Sequence, residues 1–260
     1  MNQPLAYIHP GAKIARNVVV EPFTTIHNNV KIGSGTWIGS NVTIMEGARI
    51  GKNCRIFPGA VISAIPQDLK FDGEDSLTII GDDVTIRECV TINRGTSASG
   101  QTLIGNNCLL MATAHIAHDC VVGDNAIIVN GVALGGHVII GKHAIIGGLS
   151  AIHQFIHIGE HAMVSGGSLV RKDVPPYTKA AKEPLSYVGI NSIGLRRRGF
   201  STDKVREIQD IYRILYQKNF NTSQALGIIE AEMEATDERD EILLFIRNSQ
   251  RGIMKGYTGN

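Results

Sequence analysis

The sequence predicts a mainly β fold, a parallel β-helix of hexapeptide repeats over residues 1–176 followed by a C-terminal α-helical domain over residues 177–260. Two observations predict this fold. An apolar residue recurs at every sixth position, and near the C-terminus helical spacing replaces that period. A period of six fits neither the 3.6 of an α-helix nor the 2 of a long strand, but it suits short strands joined by tight turns.

The six-residue register starts at Ile8 and continues without a slip to Val170, and only Asp68, Glu74 and Ala98 in it are not isoleucine, valine or leucine. We interpret each of these positions as an anchor, the inward-facing residue of one face of a prism. The pattern resembles the left-handed, three-sided class of β-helix, in which three hexads complete one coil. This resemblance supplies the handedness. It also implies that residues 18 apart stack in adjacent coils, about 4.8 Å apart.

Four residues after each anchor lies a second series of smaller residues, which includes Cys54, Cys108 and Cys120. We expect this series to face the core as well, so these cysteines have a packing role. The chain has four cysteines, with neither a CxxC pair nor the density of a disulfide framework. Glycine often follows an anchor directly, as Gly33 and Gly141 do. We expect it there to supply turn conformations that other residues resist.

Two intervals, 63–79 and 97–103, break the repeat without changing its phase. Both are polar or contain glycine. We therefore expect two loops that project outward from the prism, and loops on a rigid scaffold are where functional residues commonly lie.

The repeat stops at Pro175 and Pro176. Apolar residues at helical spacing then predict three helices, one led by Ser201 and two over residues 221–232 and 237–255. We expect them to cap the open end of the coil and to bury its edge groups. A purely structural cap is one interpretation of this tail, and docking of a partner is the other.

Composition and charge exclude several classes of function. The 260-residue chain has 25 basic and 24 acidic residues, so its net charge of +1 gives no reason to expect a nucleic-acid or membrane partner. Its N-terminus lacks the basic start and apolar run of a signal peptide. No stretch approaches the roughly 20 apolar residues of a membrane span. We expect a cytoplasmic protein.

The nine histidines all avoid the two inward series, so we expect them to face outward or to lie at corners. A single outward histidine is most often a solvated side chain. We assign His9, His27, His143 and His161 to that class, since nothing but their 18-residue spacing connects them.

The segment NCLLMATAHIAHDC, residues 107–120, differs because it places His115, His118 and Asp119 together at one corner. The 18-residue stacking rule adds residues of the two coils above, namely Gly136, His137, His153, Gln154 and Phe155. Imidazole, amide and carboxylate groups collected in this way form a candidate catalytic site.

Seven strings, in order over essentially the entire chain, resemble motifs of the UDP-N-acetylglucosamine 3-O-acyltransferase family: IPQDLKF, IRECVTINRGT, AHIAHDC, GGHV, IIGGLSAIHQF, DVPPY and NSIGLRRRGF. The resemblance implies transfer of a (3-hydroxy)acyl chain from acyl carrier protein to the 3-hydroxyl of UDP-N-acetylglucosamine, the first step of lipid A biosynthesis. The donor is then carried on the phosphopantetheine of acyl carrier protein, and the enzyme needs neither cofactor nor metal. A homotrimer with active sites between subunits is also implied.

Individual roles follow from the same resemblance. His118 matches the general base, which suits an imidazole because it changes charge near neutral pH. Asp119 matches the carboxylate that orients the base, and the backbone N–H of Gly136 matches the donor to the oxyanion. Residues that match substrate-binding positions are Gln67, Asp68, Lys70, His115, His137, His153, Gln154, Asn191 and Arg197.

Two positions bear on specificity. Gly166 matches the residue that limits acyl length at the end of an apolar groove, and glycine there predicts a long chain. Ile193 stands where the family has an acidic residue. The basic run Arg196 to Arg198 is expected to attract the acidic carrier protein.

Other proteins of this fold class give alternative interpretations. A γ-class carbonic anhydrase would use His115, His118 and His137 as zinc ligands. The N-acyltransferase later in the same pathway normally carries an additional N-terminal domain, whereas hexads begin here at Ile8. An acetyl-CoA-dependent hexapeptide acetyltransferase is a third alternative. A non-enzymatic solenoid, the fourth, predicts outward threonine ladders that this sequence lacks.

Overall fold

The computed structural model describes residues 4–217 and 220–257, without the side chain of residue 217. Residues 7–170 form a left-handed parallel β-helix whose three faces are three sheets, named A, B and C. Sheet A consists of β1 (Tyr7–Ile8), β4 (Thr25–Ile26), β7 (Thr43–Ile44), β10 (Val61–Ala64), β13 (Thr91–Asn93), β16 (His115–Ile116), β19 (Ala133–Leu134), β22 (Ala151–Ile152) and β25 (Leu169–Val170).

The other two sheets follow the same order along the prism. Sheet B consists of β2 (Lys13–Ile14), β5 (Lys31–Ile32), β8 (Ala48–Ile50), β11 (Leu77–Ile80), β14 (Gln101–Ile104), β17 (Val121–Val122), β20 (Ile139–Ile140) and β23 (His157–Ile158). Sheet C contains β3 (Val19–Val20), β6 (Trp37–Ile38), β9 (Arg55–Ile56), β12 (Thr85–Ile86), β15 (Leu109–Leu110), β18 (Ile127–Ile128), β21 (Ile145–Ile146) and β24 (Met163–Val164).

The predicted inward series form the core. Nearly all anchors from Val20 to Val170 are buried, and the smaller series, including Cys54, Cys108 and Cys120, is buried with them. All four cysteines are free, and Cys89 alone is exposed. The packing role predicted for the three inward cysteines is therefore confirmed.

Glycine after an anchor has a different function from the one predicted. The left-handed backbone conformation lies three residues after the anchor, often at asparagine, as at Asn53 with φ 54° and Asn107 with φ 55°. Gly33 does not adopt it. A Cβ at Gly33 would lie 2.6 Å from the carbonyl carbon of Gly51 in the next coil, so close stacking of backbones requires glycine there.

The phase survives both interruptions because each adds whole hexads. Val61 pairs with Thr91, 30 residues later, and Thr91 pairs with His115, 24 residues later, where an uninterrupted coil takes 18. The first loop thus adds two hexads to its coil, and the second loop adds one. They comprise residues 65–76 and 94–100. The first is shorter than predicted because β10 and β11 extend into the predicted interval, and the second begins and ends three residues earlier because β13 ends at Asn93 and β14 begins at Gln101.

The C-terminal part continues sheet C before it becomes helical. Strand β26 (Thr178–Ala181) pairs with β24 in parallel, β27 (Ser186–Ile190) pairs with β26 antiparallel, and β28 (Lys255–Gly256) completes the edge. The predicted domain boundary at 176/177 therefore falls just before a strand that belongs to the prism's sheet.

The described part of the chain has four helices beside this edge: α1 (Ser192–Arg197), α2 (Thr202–Gln217), α3 (Thr222–Glu232) and α4 (Asp237–Asn248). The sequence did not predict α1, and the helix predicted over 237–255 ends at Asn248. Ser249 leaves the helix in an extended conformation and donates a 2.6 Å hydrogen bond to Asp173, after which the chain forms β28. No helix among the described residues is long and apolar enough to cross a membrane.

The expectation that His161 is a solvated surface residue is wrong. His161 is buried, stacks on His143 at 4.7 Å and on Tyr177 at 5.7 Å, and meets Phe200 edge-on. This burial lowers the pKa of His161 to about 4. The tail covers a histidine that the prism alone would leave exposed.

Next to this stack the hydroxyl of Tyr177 donates a hydrogen bond to Glu241 of α4. Burial raises the pKa of Glu241 to about 7, and the neighbouring carboxylates of Glu160 and Glu238 act in the same direction. A titratable contact therefore joins the helices to the prism.

Candidate active site

The candidate site lies on one edge of the prism, the A–B corner, where the chain passes from a strand of sheet A to the next strand of sheet B. His118 and Asp119 lie in the turn between β16 and β17. Loops 65–76 and 94–100 leave the prism at the same corner, in the two coils below. With strands about 4.8 Å apart, the nearer loop is adjacent to Asp119 and the farther one begins about 10 Å away.

His118 and Asp119 form a hydrogen-bonded pair. Nδ1 of His118 lies 2.7 Å from Oδ2 of Asp119, and the side chain of Asp119 is fully buried while that of His118 is 13% exposed. Because an ionised carboxylate only accepts hydrogen bonds, Nδ1 carries the proton in the neutral imidazole. Its Nε2 is then left unprotonated and can accept a proton from substrate.

The Asp119 carboxylate receives a full set of donors. Its Oδ1 accepts from the backbone N–H of Thr96 at 3.0 Å and from the hydroxyl of Ser99, and its Oδ2 accepts from the hydroxyl of Thr96 at 2.7 Å and from His118. Burial acts to raise the pKa of this carboxyl, but the bonds from Ser99, His118 and Thr96 outweigh it and lower the pKa to about 2. Asp119 is therefore ionised at neutral pH.

Gly136 lies directly over the His118 ring, as the stacking rule predicts. A Cβ at this position would be 2.6 Å from Cε1 and 2.7 Å from Nε2 of His118. Its φ is not in the left-handed region, so glycine is required here by the imidazole and not by the backbone. The N–H of Gly136 donates to no acceptor among the described residues.

A column of rings continues above Asp119. His137 meets His118 edge-on at 5.3 Å with its Nε2 3.7 Å from Asp119, and Phe155 stacks on His137 at 4.6 Å. Both residues have positive φ, which a bulky side chain adopts only at a cost. The guanidinium of Arg251, which the sequence did not point to, lies 5.4 Å above Phe155.

Other predicted residues lie at or next to this corner but form no hydrogen bond to the pair among the described residues. His115 binds the hydroxyl of Thr91 through Nδ1 at 2.8 Å, and burial lowers its pKa, as does the charge of His118. His153 and Gln154 are exposed, and His153 contacts only the carbonyl of Gln154 among hydrogen-bond acceptors of the described residues.

Loop 65–76 presents the predicted sugar-nucleotide contacts. Asp68 accepts the backbone N–H of Lys70 at 3.0 Å, which shapes a turn at the tip, and Gln67 is exposed beside it. The Lys70 ammonium is exposed and forms no ion pair among the described residues. Such a cation suits an anionic ligand.

The remaining predicted residues lie on the other two edges. Asn191 caps α1 and donates to the carbonyl of His161, which lies at the corner between sheets B and C, and Arg197 is exposed on α1. Gly166 is exposed at the corner between sheets C and A. One chain therefore does not bring these residues to His118.

The sequence did not identify Thr96, Ser99 or Thr102, although all three bind Asp119 or its backbone. Thr102 accepts the N–H of Asp119 at 2.9 Å from a small inward position. The signal for the other two was the hydroxyl-rich string GTSAS one coil before the histidines.

The zinc alternative finds weak support in this geometry. Nitrogen and oxygen atoms of His118, Asp119 and His137 lie within 4.8 Å of one another, which is close enough for a shared ion. The four lone-pair positions of the carboxylate are already used by N–H and O–H donors, however, and a metal would have to displace them. The donor set fits a hydrogen-bonded histidine–aspartate pair better.

Comparison with family models gives three matches. The second domain of Udp N-acetylglucosamine O-acyltransferase matches residues 173–254. The six-repeat bacterial transferase hexapeptide model matches residues 101–136, and the GMPPB C-terminal domain matches residues 2–103.

Curated relatives match over nearly the whole chain. An acyl-(acyl-carrier-protein)–UDP-N-acetylglucosamine O-acyltransferase of Chlorobaculum parvum is 57% identical over 96% of this chain and 95% of its own length. The protein of the same name from Trichlorobacter lovleyi is 52% identical over 96% and 98%.

Solved structures agree with the sequence matches. A UDP-N-acetylglucosamine acyltransferase from Bacteroides fragilis superimposes with a TM-score of 0.97 at 52% identity, covering 98% of this chain and 100% of its own. The corresponding protein of Acinetobacter baumannii gives 0.94 at 39% identity, covering 97% and 99%.

Proposed function

Because this chain belongs to the family of acyl-(acyl-carrier-protein)–UDP-N-acetylglucosamine O-acyltransferases, we propose that it acylates the 3-hydroxyl of UDP-N-acetylglucosamine with His118 as general base. The enzyme takes the acyl chain from acyl carrier protein and catalyses the first step of lipid A biosynthesis. The observation that carries the role of His118 is its geometry: an imidazole whose Nδ1 is hydrogen-bonded to an ionised carboxylate, with Nε2 beneath Gly136.

The chemistry requires one base and one oxyanion donor. Nε2 of His118 accepts the proton of the sugar hydroxyl as its oxygen attacks the thioester carbonyl. The residue over that ring is Gly136, whose N–H has no acceptor among the described residues, and we assign to it the hydrogen bond to the oxyanion that develops on the carbonyl oxygen. When the intermediate collapses, the C–S bond breaks and the imidazolium returns its proton to the departing thiolate, so no covalent enzyme intermediate forms.

Asp119 stabilises the imidazolium and fixes its orientation. The carboxylate stays negative throughout the cycle because its pKa is held at about 2. An ion pair of opposite charges at hydrogen-bond distance favours the protonated imidazole that exists between the two proton transfers. His118 and Asp119 thus act as a pair without a protein nucleophile.

The acyl donor is already activated, because its acyl group is a thioester. The donor carries its thioester on the phosphopantetheine arm of acyl carrier protein, so the residues at the A–B corner have only protons to move. We propose that the enzyme works without a further cofactor and that it acts in the cytoplasm.

We further propose a homotrimer with active sites between subunits. In one chain, His118 lies on the A–B corner, Asn191 on the B–C corner and Gly166 on the C–A corner. A prism face of one hexad spans up to roughly 20 Å, so a single substrate does not reach all three corners of one prism. Neighbouring prisms that pack face to face bring different corners together.

Within such an interface the remaining predicted residues bind substrate. Lys70 and Arg197 provide cations without ion-pair partners among the described residues, which suits the diphosphate of the nucleotide. The polar groups of Asp68, His115 and His153 supply hydrogen bonds to the sugar. Gly166, which adds no side-chain volume, leaves room for a long 3-hydroxyacyl chain.

The experiment that tests this function is an acyl-transfer assay with UDP-N-acetylglucosamine and a panel of acyl carrier protein thioesters. We expect a 3-O-acylated nucleotide, identified by mass spectrometry and NMR, with long hydroxyacyl donors preferred. Absence of transfer from every donor, or transfer to a nitrogen atom, would contradict the proposal.

A further inference from the structure

The loop 94–100 connects directly to the proposed catalytic pair. It leaves the prism one coil below His118, and its residues supply three of the four hydrogen bonds to the Asp119 carboxylate. From this arrangement we infer that Thr96 and Ser99 are positioning residues, which hold Asp119 and through it set the orientation and basicity of His118. The inference rests on the proposed role of His118 as general base.

The geometry of Thr96 is specific for this task. Its backbone N–H and its hydroxyl bind different oxygens of Asp119, so the carboxylate is held in one plane. The same hydroxyl accepts the N–H of Ala98 at 3.2 Å, which directs its proton towards Asp119. Thr96 is buried, so water does not replace these donors.

Ser99 reaches the same carboxylate from the exposed end of the loop. Its hydroxyl is within hydrogen-bond distance of both Asp119 and the carbonyl of Gln101, but it has one proton to donate. An ionised carboxylate is the stronger acceptor, so the proton goes to Asp119. The Ser99 bond is therefore charge-assisted, although the side chain lies in an exposed segment.

Contacts other than those with Asp119 also hold loop 94–100 in place. Gly95 donates to the carbonyl of Leu77, and a Cβ at Gly95 would lie 2.2 Å from the backbone nitrogen of Gln101. Glu74, in the loop that carries Asp68 and Lys70, accepts the backbone N–H of Ser97 at 2.8 Å. The loop proposed to contact the nucleotide is thus tied to the loop that holds Asp119.

Removal of these donors has a predictable effect on the pair. With fewer hydroxyl donors, the negative charge of Asp119 acts more strongly on the His118 ring and favours its protonated form. The unprotonated base is then populated only at higher pH. The ring also loses its fixed orientation, which lowers turnover more than substrate binding.

The test uses four variants of the full-length protein: Ser99→Ala, Thr96→Val, Thr96→Ser and Ser97→Ala. The last is a matched control, because the Ser97 hydroxyl makes no hydrogen bond among the described residues while its neighbours do. For Ser99→Ala and Thr96→Val we expect kcat to fall about tenfold or more, with both KM values within about twofold. The acid limb of the kcat/KM profile should move to higher pH. Thr96→Ser should restore most of the activity, and Ser97→Ala should match wild type.

A readout independent of turnover completes the design. In protein with labelled histidine, NMR follows the His118 Nδ1 proton, whose resonance we expect to shift in Ser99→Ala and to remain in place in Ser97→Ala. Unchanged kcat, pH profile and His118 resonance in folded Ser99→Ala would overturn the inference, as would an equal loss in Ser97→Ala. Ser99 is exposed, so this variant decides the question even if Thr96→Val does not fold. If His118→Ala is inactive while Ser99→Ala behaves as wild type, the inference fails and the proposed role of His118 stands. An active His118→Ala removes the general-base role on which the inference rests, although acyl transfer itself stands.

Discussion

The substitution Gly136→Ala tests whether the His118 ring lies directly beneath residue 136 during turnover. The added methyl group would sit 2.6 Å from Cε1 and 2.7 Å from Nε2 of His118, whereas ordinary contacts begin at 3.4 Å. The imidazole must therefore retreat by about 0.8 Å. The backbone imposes no additional strain, because Gly136 does not have a positive φ.

The cost of this displacement falls on catalysis more than on folding. A misplacement of about 1 Å in a catalytic group lowers turnover by about 10²-fold, which corresponds to about 2.7 kcal/mol of transition-state stabilisation. Overpacking of this kind destabilises a fold by about 1–3 kcal/mol. The substitution leaves the rest of the prism core unchanged. We expect kcat to fall about 10²-fold in a protein that still unfolds cooperatively.

The assay measures steady-state acyl transfer together with thermal unfolding by circular dichroism. Gly227→Ala is the control, because it makes the same chemical change in α3 with no atom within 4 Å of the new Cβ. It should leave kcat unchanged and stabilise the helix by up to about 1 kcal/mol. Wild-type kcat in folded Gly136→Ala would show that His118 is not held beneath this glycine during turnover.

Three further predictions concern the donor, the acyl chain and the junction with the helices. Arg196→Ala should raise the KM for acyl carrier protein about two- to fivefold at low ionic strength and reduce its salt dependence; an unchanged KM at every salt concentration contradicts donor docking at this run. Gly166→Met should shift preference to shorter donors, each lost methylene being worth about 0.8 kcal/mol or fourfold, and an unaltered chain-length profile removes Gly166 as the limit. Because the folded-state pKa of Glu241 is raised to about 7, its contribution to stability is present below about pH 4.5 and is lost as the pH rises towards 7. Glu241→Gln should therefore stabilise the protein above pH 7 and have little effect at pH 4.5, as measured by chemical denaturation.

The regular part of the molecule was predictable because its period is a packing constraint. Within the coils every anchor must be apolar and the second inward series is mostly small, so the register predicts the three-sided prism on both sides of the two loops and up to Val170. The same rule predicts Gly136 over His118 and His137 over Asp119, and the structure has both arrangements. Because the coils stack regularly, the number of residues between two positions determines the distance between them in space.

In the loops and the tail, the number of residues between two positions no longer determines how far apart they lie in space. The bonds from Thr96 and Ser99 to Asp119 depend on the path of an irregular loop, and no periodic rule specifies which hydroxyl reaches the carboxylate. The burial of His161 was missed for a related reason, since Phe200 of the tail covers it. The function of glycine after an anchor was missed because neighbouring coils, and not the local turn, exclude a side chain.

The proposed mechanism depends above all on His118, and the decisive measurement is the turnover of His118→Ala in the acyl-transfer assay. Loss of a general base lowers turnover by about 10²–10⁴-fold, and we expect at least that loss with the oligomeric state and the unfolding transition unchanged. The side chain is at a corner, partly exposed and outside the core, so the fold does not require it. Near-normal turnover by the folded variant would contradict the mechanism.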